Sequence, residues 1–229
     1  MTKLVNLFVS QPEKLVADNV SDTFGMDTGS MLTRLKLQLT LILVLLGSTA
    51  VSHAEWLDGV IISGGKDFSS NADLNSYRVS AIKNWDSRWF NEGGWYIGGY
   101  FDLSVNHWKS KLSSGSGVSA KGRDHINAIA FSPVFRVTRK SPWFGSFTPF
   151  AEMGIGLSYL SASTLKAKNN DPVDLGIRLQ FEDRIGFGFQ FGERQQYQAI
   201  FRAFHYSNAN LHSDNDGFNL SEIAFGWSF

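Results

Sequence analysis

From residue 55 to the end of the chain, apolar and polar side chains alternate with a period of two, and one of the two faces this creates is large and hydrophobic throughout. Around residue 100, Trp95, Ile97, Phe101, Leu103 and Val105 fall on one side, while Tyr96, Tyr100, Asp102, Ser104 and Asn106 fall on the other. Further on, Ile185, Phe187, Phe189 and Phe191 oppose Gly186, Gly188, Gln190 and Gly192. At the end, Ile223, Phe225, Trp227 and Phe229 oppose Glu222, Ala224, Gly226 and Ser228. Successive side chains of a strand point to opposite faces, so these segments are strands with one apolar wall and one wall of glycine and polar groups. A soluble barrel buries its large residues. The reverse arrangement belongs to a sheet whose outside meets lipid and whose narrow lumen is packed with small or hydrogen-bonded side chains. Hydrocarbon offers no water to backbone N–H and C=O groups, so such a sheet must close on itself. The expected fold class is all-β, an eight-stranded antiparallel transmembrane β-barrel of the outer membrane. Its strands are expected near 57–66, 76–86, 94–107, 124–138, 147–162, 175–191, 196–207 and 217–229. The sixth span is long enough to contain an irregular stretch before Phe181, and Pro133 in the fourth requires a bulge or an unpaired position.

The connections repeat the message. Segments 67–75, 108–123, 163–174 and 208–216 are long or polar, whereas 87–93, 139–146 and 192–195 are shorter. Long loops of outer-membrane barrels are extracellular and short turns periplasmic, which puts both termini in the periplasm. Trp56, Trp85, Trp89, Trp95, Trp108, Trp143 and Trp227 lie near strand ends, as an interfacial belt requires. Upstream, MLTRLKLQLTLILVLLGSTAVSHA has a basic start, an apolar run from Leu37 to Leu46, and small residues Val51 and Ala54 before Glu55. This is the pattern of a secretory signal peptide, and the apolar run is shorter than the ~20 residues a membrane helix needs. The expected organisation is a non-native N-terminal extension over 1–30, a signal peptide over 31–54 and the barrel over 55–229.

Lys and Arg together number 21, as do Asp and Glu, so no net charge draws the chain to nucleic acid. The absence of cysteine excludes a disulfide framework, a thiolate metal site and a cysteine nucleophile. His107, His125 and His212 lack ligand spacing, so no metal or cofactor is expected. Lys109, Lys111, Lys121 and Arg123 form a basic loop suited to phosphate contacts or simply to solvent.

Chemistry concentrates at the end of the seventh expected strand, QYQAIFRAFHYSNANL, which runs outward under this topology. Arg202 belongs in a lumen, with Glu152 as a partner, and this turns His205 and Ser207 to the membrane face. A titratable group and a hydroxyl on a lipid-facing strand are costly to place without a role. A serine hydroxyl needs an adjacent base to attack an ester carbonyl, and neutral imidazole is such a base. Asn208, directly after the serine, has backbone and side-chain donors for a developing oxyanion.

FRAFHYSNANLHSDNDGFN resembles the C-terminal signature of PagL-type lipid A 3-O-deacylases, an Arg-x-x-His-x-Ser-Asn core followed by an Asn-x-Gly turn. TPFAEMGIGLSYL and FEDRIGFGFQFG resemble the family's fifth and sixth strands, so the similarity covers residues 147–229 well and 55–146 in general pattern. The resemblance implies a serine esterase releasing the acyl chain at the 3-position of lipid A, with the site on the barrel exterior at the outer leaflet. It implies Ser207 as nucleophile, His205 as base and a glutamate as third member. That glutamate's position falls on Asn219, and Glu222 is the nearest alternative acid, although alternation turns it into the lumen. The partners implied are lipopolysaccharide and outer-membrane lipid, with a homodimer left open. The alternatives are a barrel without chemistry (pore, adhesin or structural protein) and acyl transfer from phospholipid to lipid A, which would need a lipid-binding lumen. In protein purified from outer membranes, the N-terminus read by mass spectrometry is expected at or near Glu55, and recovery with residues 1–54 attached would overturn that assignment.

Overall fold

The computed structural model describes residues 56–229 apart from Ser114 and Ser116, so the expected extension and signal peptide lie outside the described residues. Eight long strands form the wall: β1 (Gly59–Asp67), β2 (Leu74–Asn84), β3 (Trp95–Ser110), β4 (His125–Arg139), β5 (Thr148–Leu160), β8 (Leu179–Phe191), β9 (Tyr197–Ser207) and β10 (Phe218–Ser228). Two short strands, β6 (Thr164–Leu165) and β7 (Val173–Asp174), pair in the connection between β5 and β8. The long strands follow one another around a closed barrel, and β1 pairs with β10 to remove both edges. Every neighbour is antiparallel, so the wall satisfies its own backbone.

Alternation places the apolar wall outward, as expected. Ile129, Ile185, Phe187 and Ile223 are all exposed, while their neighbours Ala130, Arg184, Gly188 and Glu222 are buried. Pro133 pairs with Phe101 on β3, but the β4–β5 ladder breaks between Phe131–Leu157 and Val134–Gly154. The missing N–H of proline therefore falls in an unpaired position, and no residue is added to the strand. The sixth long strand begins at Leu179 and not at 175, because Gln180 Nε2 donates to the carbonyls of Leu175 (3.1 Å) and Ile177 (2.6 Å) and holds that stretch as a turn.

The lumen is filled. Arg78, Arg136, Arg184 and Arg202 are buried together with Asp102, Glu152, Glu182 and Glu222, so positive and negative side chains are equal in number. Glu152 accepts from Arg202 Nε (2.8 Å), Arg136 Nη2 (2.7 Å) and Tyr100 Oη (3.0 Å). Nearer the long-loop end, Glu182 accepts from Arg78 and Tyr206, and Asp102 bridges Arg78 and Arg184. Gly186 makes room for the first pair: a β-carbon there would stand 2.9 Å from the Phe201 carbonyl and 3.2 Å from both Arg202 Cγ and Glu152 Cγ. Below this network lies an apolar layer around Ile61, Ile82, Phe150 and Ile200, and above it a larger one around Leu74, Trp108, Leu160, Phe204 and Phe218. The upper layer is closed by β6 and β7, whose Leu165 and Val173 fold over the barrel end. Trp108 corrects the expected belt: it is fully buried against Tyr206 and Phe218, whereas Trp56, Trp89, Trp95 and Trp143 are exposed around the short-turn end.

A lumen packed in this way is neither an aqueous pore nor a slot for an acyl chain. Replacing Glu152 by Leu strands two buried guanidinium groups and is expected to lower stability by about 3–5 kcal/mol. Urea titration in detergent, followed by the gel shift between folded and unfolded barrel, measures it.

Candidate active site

His205 and Ser207 both end on the outer wall at the long-loop end of β9, because two residues of extended chain return a side chain to the same face. Phe204 and Tyr206, between and beside them, are buried in the upper core and fix the strand against rotation. In register, His205 lies opposite Asn219 on β10 and opposite Asp183 on β8. The ring Nδ1 is 2.7 Å from Asn219 Oδ1. A carbonyl oxygen only accepts, so Nδ1 carries the proton and Nε2 is left with the lone pair a base needs. Asn219 is held in turn by its backbone N–H, which donates to Ser69 Oγ (2.8 Å), and by its carbonyl, which accepts from Phe68 N (3.1 Å).

The β9–β10 connection folds back over this pair. Gly217 has φ +61°, and a β-carbon on it would come within 3.0 Å of the Tyr206 carbonyl, 3.4 Å of His205 Cε1 and 3.8 Å of Ser207 Cβ. Glycine is thus favoured both by the left-handed backbone and by the gap it keeps open beside the imidazole and the Ser207 side chain. Ser207 is half-buried, and its Oγ has no hydrogen-bond partner among the described residues.

Asn208, the expected oxyanion donor, has its N–H groups in hydrogen bonds within the loops. It is fully buried; its Nδ2 donates to Leu175 O (2.9 Å) and Asp214 O (2.7 Å), and its backbone N–H donates to Asn215 Oδ1 (2.9 Å). With every N–H engaged, Asn208 ties the β9–β10 loop to the β7–β8 turn. Asp216 adds to the tie, since its Oδ2 accepts from Asp174 N (2.7 Å). Glu222 is also remote from the imidazole: it points into the lumen and accepts from Ser63 Oγ and Ser76 Oγ, each at 2.5 Å.

Two depressions meet at His205 and Asn219. One is an apolar groove of about 630 Å³ down the outer wall, lined by Phe68, Phe135, Met153, Ile155, Ile185 and Ala203. The other is a polar cleft of about 540 Å³ among the loops, bordered by Ser69, Asn71, Lys168, Asn169, Asp171 and Asp216. The basic residues singled out between β3 and β4 do not line it. Lys111 instead pairs with Asp73 (2.6 Å) and, by that hydrogen bond, holds the Asp73 carboxyl below its ordinary range. Lys168 is the cation of the cleft, and nothing in its local sequence marks it. Asp183 was within reach of sequence reasoning: the outward alternation of Ile185, Phe187 and Phe189, continued back by one step, arrives at it.

The chain is matched over residues 75–228 by the family model described as lipid A 3-O-deacylase (PagL). A curated relative, the lipid A deacylase PagL of Pseudomonas aeruginosa, is 31% identical over 176 residues, covering 77% of this chain and 88% of the relative. The crystal structure of the outer membrane enzyme PagL superposes with a TM-score of 0.59 at 27% identity, covering 75% of this chain and 99% of that one.

Proposed function

This chain belongs to the lipid A 3-O-deacylase (PagL) family, and from that premise we propose that Ser207 attacks the 3-O-acyl ester of lipid A with His205 as its base. The protein is an outer-membrane ester hydrolase acting on lipid A. The observation that carries the residue assignment is the meeting of the apolar groove and the polar cleft at His205. An amphiphile lying in the outer leaflet has its ester between an acyl chain and a phosphorylated sugar. A site with a greasy trough on one side and a hydrated, Lys168-bearing cleft on the other matches that division, with the long loops outside the cell.

The reaction then needs few parts. Ser207 Oγ bonds to the acyl carbonyl carbon while its proton moves to His205 Nε2. Collapse of the tetrahedral adduct breaks the bond to the sugar oxygen, which takes that proton from the imidazole. Water repeats the sequence on the Ser207 ester, freeing the fatty acid and restoring the hydroxyl. Asn219 holds the ring in the productive tautomer through Nδ1, as the third member of a triad does. Asn208 acts in this reading through the loop it anchors.

Ser207→Ala and His205→Asn are each expected to lower turnover by on the order of 10⁶ while the barrel still shifts on heating in a gel, because removing a triad nucleophile or base has that effect. Mass spectrometry of lipid A from expressing cells reads it: one hydroxyacyl group is lost with the wild type and retained with either variant. Activity within about tenfold of wild type in either would move the chemistry elsewhere. Asn219→Glu is expected to maintain or raise the rate, since a carboxylate orients the ring and also stabilises its charge. Glu222→Gln leaves the rate within a few-fold; abolition by Glu222→Gln with a silent Asn219→Ala would refute the placement of Asn219.

A further inference from the structure

We propose that Asp183 is a positioning acid of this site, supplying to His205 from β8 the negative charge that Asn219 cannot supply from β10. The inference rests on the reading of His205 as the base. Its observation is a row of three across adjacent strands, Asp183, His205 and Asn219, each the direct register partner of the next. Directly opposed residues of an antiparallel pair have β-carbons about 4.5–5.5 Å apart, so the carboxylate lies within Coulombic reach of the imidazole on the side away from Asn219.

The surroundings of Asp183 make a structural role a poor account of it. It is half-buried in the wall of the apolar groove, with Ile155 as its β5 partner and Ile185 next on its own face. The outward positions of β8 are otherwise Leu179, Phe181, Ile185, Phe187, Phe189 and Phe191, so it is the one charge on a lipid-facing row. Its carboxylate has no hydrogen bond or ion pair with another described residue. The adjacent Arg184 also borders the groove, but its guanidinium is turned inward to Asp102 at 2.7 Å. A carboxylate in such a place is unfavourable unless something cationic forms beside it, and the imidazolium that appears when Ser207 loses its proton is such a charge.

A triad acid performs two tasks: it orients the imidazole and it stabilises the imidazolium. Here the tasks are divided. Asn219 Oδ1 orients through Nδ1, and Asp183 stabilises through space in surroundings poor in water. The other charged residues lining the two depressions that meet at His205 are Lys168, Asp171 and Asp216 on the loop side and Arg184, whose guanidinium is turned inward to Asp102. They are unchanged in the test below, which therefore isolates Asp183.

The test is the pH dependence of kcat/KM for the full-length protein in detergent micelles with purified lipid A, comparing wild type, Asp183→Asn and Asp183→Glu. Asp183→Asn removes a charge from a lipid-facing wall and keeps the shape, so the barrel assembles. Its kcat/KM is expected to fall on the order of tenfold or more at neutral pH, and its acidic limb to move to lower pH, because imidazole without a neighbouring anion binds its proton less tightly. Asp183→Glu keeps the charge and is expected to keep the limb of the wild type. An undiminished rate in Asp183→Asn overturns the proposal, as does a diminished rate with an unmoved limb, which assigns the loss to packing. Failure of the underlying reading shows separately, as activity surviving Ser207→Ala.

Discussion

Closure of the sheet between β1 and β10 is the constraint on which everything else depends. In hydrocarbon an unpaired N–H or C=O costs several kcal/mol, and a row of them along a free edge could not persist. Once the wall is closed, its two faces have opposite duties. The outer face must be apolar and is. The inner face is too narrow for a water column at this strand number, so it must be filled by side chains that satisfy one another. Arg78, Arg184 and Arg202 with Asp102, Glu152 and Glu182 do so through ion pairs whose members are all buried. Neutrality of the set is what makes it tolerable, since each charge has lost its water and depends on its partner.

A filled lumen leaves the outer wall as the place for chemistry on a lipid. The substrate of such a site need not leave the membrane; it diffuses sideways in its own leaflet until its ester reaches His205. Such a site accounts for Asp183, His205, Ser207 and Asn219 standing on the outer wall near the long-loop end of β8, β9 and β10. It also explains the loop architecture. The upper apolar core, the β6–β7 hairpin and the Asn208 and Asp216 contacts together fix the β9–β10 connection, and Gly217 in that connection shapes the space beside His205 and Ser207. The loops are therefore part of the site's rigidity as well as its polar wall.

Several of these features were legible from the residues. Alternation located all eight long strands and assigned their faces, and it named Glu152 as a partner for Arg202, which the ion pair at 2.8 Å matches. It also set Asn219 and Glu222 on opposite faces of one strand. Other features were hidden for physical reasons. Trp108 sits near a strand end like the belt tryptophans, yet it lies on the inward parity under loops that fold over the barrel, and local sequence does not say where a loop folds. Asn208 follows the serine as an oxyanion donor would, but its donors are consumed by carbonyls at Leu175 and Asp214, the first of them 33 residues away in the chain.

What the sequence by itself determined is everything that depends on parity and sign: a closed barrel, the face of each strand, and a histidine and a serine together on the lipid side. These follow because a strand's period of two and the hydrocarbon's intolerance of polar groups leave one arrangement open. What only the tertiary structure decided is adjacency across strands, since that depends on register. A shift of one residue between β8 and β9, or between β9 and β10, would have put different neighbours beside His205. The observed register, held by hydrogen bonds along both ladders, set Asp183 on one side of the imidazole and Asn219 on the other.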